Sequence, residues 1–552
     1  MRRITLIFTA ALLVAAVPLQ AQQASSVTVT GSAGVAGRLL SNDTNSSKLT
    51  EYRDVGDDAY VPGMRLSVFD LSSGWFFDFR GANASLSDQS FWGRGGRAGQ
   101  WSLSFDWIEI PHNLSNKAQT PYLRRGPGFL AVPARVPITF KKLATTPADT
   151  PNVLASDDLI AAYQAQFLSP TPLSTSSNIG RIAAEYSGFE VLKLAMAYDL
   201  REKSGLKASF GPIGDRPPRT LNIQLTEPVD HRTQDLTLSA EHVGRKYVLQ
   251  FSYLFSDFAN RVDTLVWENI YTSAPPGATF DVWDRAVSVS GRRALDPDNR
   301  YHNLSFSIAR ELPAESRLTA TVALGLLRQN ESLLPYSFHV DALANPTLPR
   351  TRADGQMDTL QLLAEYVIDP TPRTNVRAWA RYYRLDNDTP EAMWQYVTSD
   401  TSNLNGTVSY KNKRINLAYA FDRTNAGIES TFRLRPWRSN LTLGYEFERI
   451  SRERREADTN DNRLTAAWRA RPARWANLRL RYTFSDRDGT YDPFVTRESY
   501  WYDPSEPNDD DNPQFTFSNH PDMRRYDTSD RRRNQADFTL TLTPRQDVSL
   551  AG

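Results

Sequence analysis

The sequence contains no cysteine. That excludes disulfides, thiolate metal sites, a cysteine nucleophile and a covalently attached c-type haem. Histidine is scarce. The six, His112, His231, His242, His302, His339 and His520, are scattered and suggest neither a metal site nor a catalytic triad. No Gly-x-Ser-x-Gly elbow is present, so an enzyme is not expected. An excess of one charge is also missing. With 64 basic against 63 acidic residues, the basic surplus of a nucleic-acid binder is absent. Beyond the N-terminus no apolar run reaches the 18 or so residues that a spanning helix needs. That leaves β-barrels open, because a barrel strand crosses a bilayer with about 9–11 residues and one apolar face.

Arg2 and Arg3 precede a short apolar run, Leu6 to Val17, and Leu19-Gln20-Ala21 forms a cleavage-like step before Gln22. Residues 1–21 are read as a secretory signal peptide, which implies export.

From about residue 62 onward one pattern repeats, with no composition boundary to divide it. Leu478, Leu480, Tyr482 and Phe484 alternate with Arg479, Arg481, Thr483 and Ser485. Leu441, Leu443, Tyr445 and Phe447 alternate with Thr442, Gly444, Glu446 and Glu448. Trp101, Leu103, Phe105 and Trp107 alternate with Ser102, Ser104 and Asp106. Successive side chains of an extended chain point to opposite faces, so each segment has one apolar and one polar face. Tight turns at Ser187-Gly188, Pro313-Ala314-Glu315, Pro370-Thr371-Pro372, Pro436-Trp437-Arg438, Pro472-Ala473-Arg474 and Pro544-Arg545 are separated by long polar stretches such as 256–298, 328–356, 385–410 and 486–533. Short turns on one side and long loops on the other are the layout of outer-membrane barrels, not of a sandwich.

The fold expected is all-β: a large transmembrane antiparallel barrel in the outer membrane, of roughly 18 to 20 visible strands, with short periplasmic turns and long extracellular loops. Residues 22–61 hold one N-terminal strand, Val27–Leu39, and a polar loop. Residues 62–552 form the barrel, interrupted by a Pro-rich insertion, 111–176, with a short helix at Ser156–Phe167 that could cap an opening or enter the lumen. The chain stops partway into a strand, Val548-Ser549-Leu550, which is read as C-terminal truncation. Tyr253, Phe255, Tyr382, Tyr383, Tyr445, Phe447, Tyr482 and Phe484 are assigned to an outer aromatic girdle, and Trp101, Trp437 and Trp475 to an inner one.

The run Gly74-Trp75-Phe76-Phe77-Asp78-Phe79-Arg80-Gly81-Ala82-Asn83 resembles an early strand of the MtrB/PioB family of decahaem-associated outer-membrane barrels. The block from Gly99 to His112, ending in Ile110-Pro111, then Thr120-Pro121-Tyr122 and Gly126-Pro127-Gly128-Phe129-Leu130, resembles the next part of that family's pattern. Leu443-Gly444-Tyr445-Glu446 is similar as well. The resemblance implies a barrel that sheathes a periplasmic multihaem (decahaem) cytochrome in its lumen, with an extracellular multihaem cytochrome as a further partner. Haem would be carried by the partner and none by this chain. Some members carry a Cys-x-x-Cys pair near the mature N-terminus, and this chain has none, so no redox role of such a pair is carried over. The alternative is a general or substrate-specific porin. Strands begin before a globular plug could fit, which argues against a TonB-dependent transporter.

Two clusters remain. Arg433, Arg435, Arg469, Arg471, Arg479 and Arg481 lie on polar faces near turns, and alternation points them into the lumen at the periplasmic mouth. One reading is a basic ring that docks haem propionates or acidic patches of a cytochrome. The other is an ordinary polar lumen in which they pair with neighbours such as Glu429. The loop carrying Glu506, Asp509, Asp510 and Asp511 could offer oxygen ligands to calcium. It lacks EF-hand spacing, and a solvated acidic loop is the preferred reading.

Overall fold

A computed structural model describes residues 26–39, 46–56, 59–134, 136–137, 157–213, 221–272, 290–336, 347–395, 413–453, 458–490, 527–545 and 548–551. The signal-peptide region and Asp509, Asp510 and Asp511 lie outside these residues. Among the described residues no helix is long and apolar enough to cross a membrane.

One antiparallel sheet dominates. Its strands are β1 (Val27–Ala33), β2 (Ala59–Asp70), β3 (Trp75–Ala84), β4 (Ser90–Arg97), β5 (Trp101–Ser115), β6 (Leu173–Tyr186), β7 (Leu192–Ile213), β8 (Leu221–Val243), β9 (Tyr247–Asn260) and β10 (Asn299–Leu312). They continue as β11 (Ser316–Gln329), β12 (Gly355–Thr371), β13 (Thr374–Asn387), β14 (Ala420–Leu434), β15 (Ser439–Glu453), β16 (Thr459–Ala473), β17 (Ala476–Gly489), β18 (Arg531–Arg545) and β19 (Val548–Ala551). A further two-residue segment, Ala36–Gly37, extends the pairing of β1 with β2 and completes the 20-stranded sheet. Every strand pairs with its neighbour in sequence, giving an up-and-down meander.

The expectation of a large outer-membrane barrel with about this many strands holds. The N-terminal strand is a full member of the sheet, in register with β2 from Val27 opposite Asp70 to Ala33 opposite Met64. The insertion is shorter than expected. β5 runs through Pro111 to Ser115 and β6 begins at Leu173, so the excursion covers 116–172, with its helix α1 at Asp157–Phe167. Pro111 is tolerated because its φ suits extended backbone, although it gives up one N–H donor. The strands also run several residues into the stretches expected as loops, as at Ser256–Asn260 and Asp486–Gly489.

The turns at one end are all tight. Leu71–Gly74 is fixed by Asp70, whose carboxylate accepts bonds from Ser73 Oγ at 2.5 Å, Ser72 Oγ at 2.8 Å and Ser72 N at 3.0 Å. These hydroxyls, Ser73 first and then Ser26 and Ser72, hold the Asp70 carboxyl well below the usual carboxylate range. Gly74 turns the chain at φ +71°. At Arg435–Arg438 the corner is made by Trp437 and Arg438, both at positive φ. The opposite end is uneven. It carries the long excursions but also short links, Ser85–Gln89 and 454–458.

Across the sheet the outward face is apolar. One row runs Leu66, Phe79, Gly93, Phe105, Ile182, Tyr198, Leu236, Phe255 through directly opposed residues. A second runs Phe432, Leu441, Trp468, Leu480, Phe538. Leu103, Met196, Phe306, Leu324, Leu464 and Phe538 are exposed, as side chains meeting lipid should be. The outer girdle needs one correction. Tyr382 faces outward and donates to Asp422 Oδ1 at 2.7 Å, whereas Tyr383 lies opposite Arg423 on the lumenal face. Adjacent residues of a strand cannot share a face.

Candidate functional site in the lumen

The lumenal face is rich in ion pairs. Arg423 forks onto Glu448. Arg463 reaches Glu446 at 3.3 Å and Arg377 reaches Glu365 at 2.6 Å. Arg487 and Arg531 converge on the buried Asp461 at 3.2 and 3.4 Å. Arg181 meets Asp199 at 3.1 Å.

The six arginines singled out from the sequence divide into two groups. Four face the lumen near the turn end. Arg433, Asn440, Arg469 and Arg479 form one row of directly opposed residues across β14 to β17. Arg481 lies one lumenal step further in, between Ala467 and Asp537. Arg433 donates to the Pro372 carbonyl at 3.1 Å. Among the described residues Arg469, Arg479 and Arg481 make no hydrogen bond or ion pair, and all four side chains are exposed. Asp537, beside Arg481, accepts both of its bonds from Gln535, at 3.1 and 3.2 Å. The expected ion-pair partner, Glu429, stands opposite Arg377, and among the described residues it bonds to none of the six. The remaining two arginines belong to turns. Arg435 precedes the turn at Pro436–Arg438. Arg471 sits where the β16–β17 register shifts, and it donates to the Arg474 carbonyl at 2.9 Å. Alternation does not extend through a turn or a bulge, which is why sequence reasoning placed all six alike.

A second lumenal feature went unnoticed in the sequence. On β5 the inward positions Ser102, Ser104 and Asp106 give way to Ile108 and Ile110, which are 41% and 36% exposed, and then to His112, stacked on Tyr52 at 4.6 Å. The lumenal column changes from polar to aliphatic over these two positions. The signal was the reversal of phase at Trp107-Ile108, after which Glu109 takes the outward position and Ile110 the inward one.

The third feature is a folded cap at the long-loop end. β7 and β8 have 22 and 23 residues, about twice what a crossing needs. Leu225, Glu227 and Val229 are buried, and by alternation lie on the side opposite lipid-facing Leu236 and Leu238, that is, toward the lumen. Against that inner face packs a core of Tyr122, Leu130, Leu225, Leu265 and Trp267. Phe129–Ala131 pairs in parallel with Thr264–Glu268, which pairs antiparallel with Ser290–Ala294. Tyr122 donates its hydroxyl to the Glu268 carbonyl at 2.9 Å, and Val132 N–H donates to Glu268 Oε2 at 2.8 Å. Arg293 ties the cap to the hairpin by bonding Glu227, Ser209 Oγ at 2.6 Å and the Phe210 carbonyl at 3.2 Å. Lys207 adds a 2.8 Å contact to Glu227. Burial pushes the Glu227 carboxyl up, but hydrogen bonds from Lys207 and Ser209 and the charges of Lys207 and Arg293 outweigh it and leave the group below its ordinary value. Among the described residues no cluster of three or more His, Asp or Glu is arranged to hold a metal.

An apolar outer belt, a polar inner wall and tight turns at one end define a membrane-spanning β-barrel of the outer-membrane type. The profile of the family described as "Putative outer membrane beta-barrel porin, MtrB/PioB" matches residues 41–551, and the chain belongs to that family. A curated relative, outer membrane protein MtrB of Shewanella baltica (strain OS185), is 22% identical over 458 residues, which is 82% of this chain and 56% of that protein. The chain thus spans little more than half of that relative's length. Among solved structures, the ferric-catecholate import receptor Fiu of E. coli K12 aligns over 96% of this chain and 71% of its own, at 9% identity and a TM-score of 0.38. The siderophore receptor PiuA of Acinetobacter baumannii aligns over 99% and 71%, at 9% identity and the same TM-score of 0.38. Scores at this level do not define a fold, which rests here on the strand pairing and the family match.

Proposed function

We propose that this barrel sheathes and positions a periplasmic multihaem c-type cytochrome, so that electrons cross the outer membrane through the guest's haems. The chain's part is mechanical and electrostatic. Its apolar belt faces lipid, so the polar surface of the guest never meets hydrocarbon, where each unsatisfied polar group would cost several kcal/mol. Its inner wall holds the guest at a fixed depth.

The observation that carries this reading is the pair of exposed aliphatics Ile108 and Ile110 on the lumenal face of β5. An aqueous channel is lined by polar side chains. Branched aliphatics exposed on that face are stabilised when a protein surface covers them, at about 25 cal/mol for each Å² of apolar area removed from water. The resemblance to decahaem-associated barrels implies the same guest, whereas the family's description as a putative porin names the barrel alone.

The test is isolation of the full chain from its native membrane in mild detergent. A haem-staining partner should copurify in a fixed ratio, with the optical spectrum of a low-spin cytochrome. Isolation without any haem protein, together with large open-channel conductance on reconstitution, would establish a porin instead.

A further inference from the structure

We infer that Arg433, Arg469, Arg479 and Arg481 form a docking surface for carboxylates on a guest that enters the lumen from the turn end. This rests on the sheath reading and specifies where its electrostatic contact lies.

Arg469 and Arg479 are direct cross-strand partners. Side chains so placed have Cβ atoms about 5 Å apart, and like charges there destabilise the sheet. That separation is shorter than the ~8 Å screening length at physiological salt, so water and ions do not remove the repulsion. Elsewhere the same wall answers its arginines with carboxylates: Glu446, Glu448 and Asp461 take up Arg463, Arg423, Arg487 and Arg531 six to ten residues further along the strands. At the turn end the cross-strand partners of the four arginines include one carboxylate, Asp537, which stands opposite Arg481 and accepts its hydrogen bonds from Gln535. Four positive charges are thus concentrated on β14 to β17 against a single facing carboxylate. A guanidinium offers a planar fork that matches a carboxylate with two parallel bonds. The position on the lumenal face excludes lipid headgroups as the occupant. The four arginines are spread over four neighbouring strands, about 14 Å at the usual spacing, so the occupant is a protein guest whose acidic side chains supply the carboxylates.

The experiment uses the full chain in detergent and two probes, a poly-L-glutamate peptide and free iron protoporphyrin IX. Binding is followed at low and at physiological salt. The variant carries Arg469→Gln, Arg479→Gln and Arg481→Gln. The control carries Arg300→Gln, an arginine of the outward face bonded to Asp257 at 2.8 Å. Heat-modifiable migration on gels confirms that both are folded barrels. The expected result is about tenfold or greater loss of poly-L-glutamate binding in the triple variant, a weaker salt dependence, and no change in the control. Loss for the porphyrin alone would overturn the assignment to acidic side chains in favour of propionates. Equal binding by variant and wild type overturns the inference. The two readings separate cleanly. If a haem protein copurifies equally well with the triple variant, the docking surface is wrong and the sheath stands. If probe binding is lost in the variant but no haem protein accompanies the wild type, the anion surface stands and the sheath falls.

Discussion

The indole of Trp267 lies between two glycines, Gly211 of β7 and Gly291 of the cap, and at each of them a Cβ would collide with the ring. Both positions therefore depend on the absence of a side chain, not on backbone flexibility. Gly211→Ala should push the cap off the hairpin at a cost of about 1–3 kcal/mol, the usual penalty for overpacking. Hydrogen exchange at Thr264–Glu268 should rise while the barrel keeps its heat-resistant migration. Unchanged protection of that segment would show that the ring has room to move.

The same cap should respond to acid in a defined sense. Glu227 has a folded-state pKa below its unfolded value. Its contribution is then complete above the ordinary glutamate range and is lost as pH falls through the lowered folded value. Cap protection, followed by limited proteolysis, should be flat from neutral pH down to that range and drop between it and the lowered folded value. Glu227→Gln should loosen the cap already at neutral pH and remove most of the acid dependence.

The assignment of faces can be tested with one pair of neighbours. On β10 the outward positions run from His302 through Leu304, Phe306 and Ile308 to Arg310, so Phe306 lies near mid-membrane, and Ser305 faces the lumen. Phe306→Arg should cost about 2–4 kcal/mol in urea titrations of the folded barrel in lipid, and Ser305→Arg under about 1 kcal/mol. Equal effects would mean that the faces are reversed.

The arginine row also sets an ionic preference. If the isolated barrel conducts when reconstituted, its reversal potential in a salt gradient should indicate anion selectivity. Arg469→Glu with Arg479→Glu should move it toward cations. A potential unmoved by that four-charge change would place the row away from the conducting path.

Alternation made the barrel legible because it is local. Leu478, Leu480 and Tyr482 declare a lipid face without reference to any other segment, and the lumenal position of Arg479 and Arg481 follows from them. Arg435 and Arg471 fall beside a turn and at a register shift, where side-chain direction depends on backbone detail that periodicity does not carry. Tyr383 was placed in the girdle on residue type, against its own parity. The cap was hardest to foresee. Leu130 and Trp267 meet across more than a hundred residues through parallel pairing, and no local pattern announces such a contact. A weak signal existed in Thr264-Leu265-Val266-Trp267-Glu268, where burial alternates as in a half-covered strand.

That long-range pairing constrains biogenesis. Bringing Leu130 to Trp267 closes a loop of more than a hundred residues, and the entropic cost of that closure falls once the intervening hairpins of β6 to β9 are paired side by side. The cap is therefore a late-forming element, and its tryptophan is covered last.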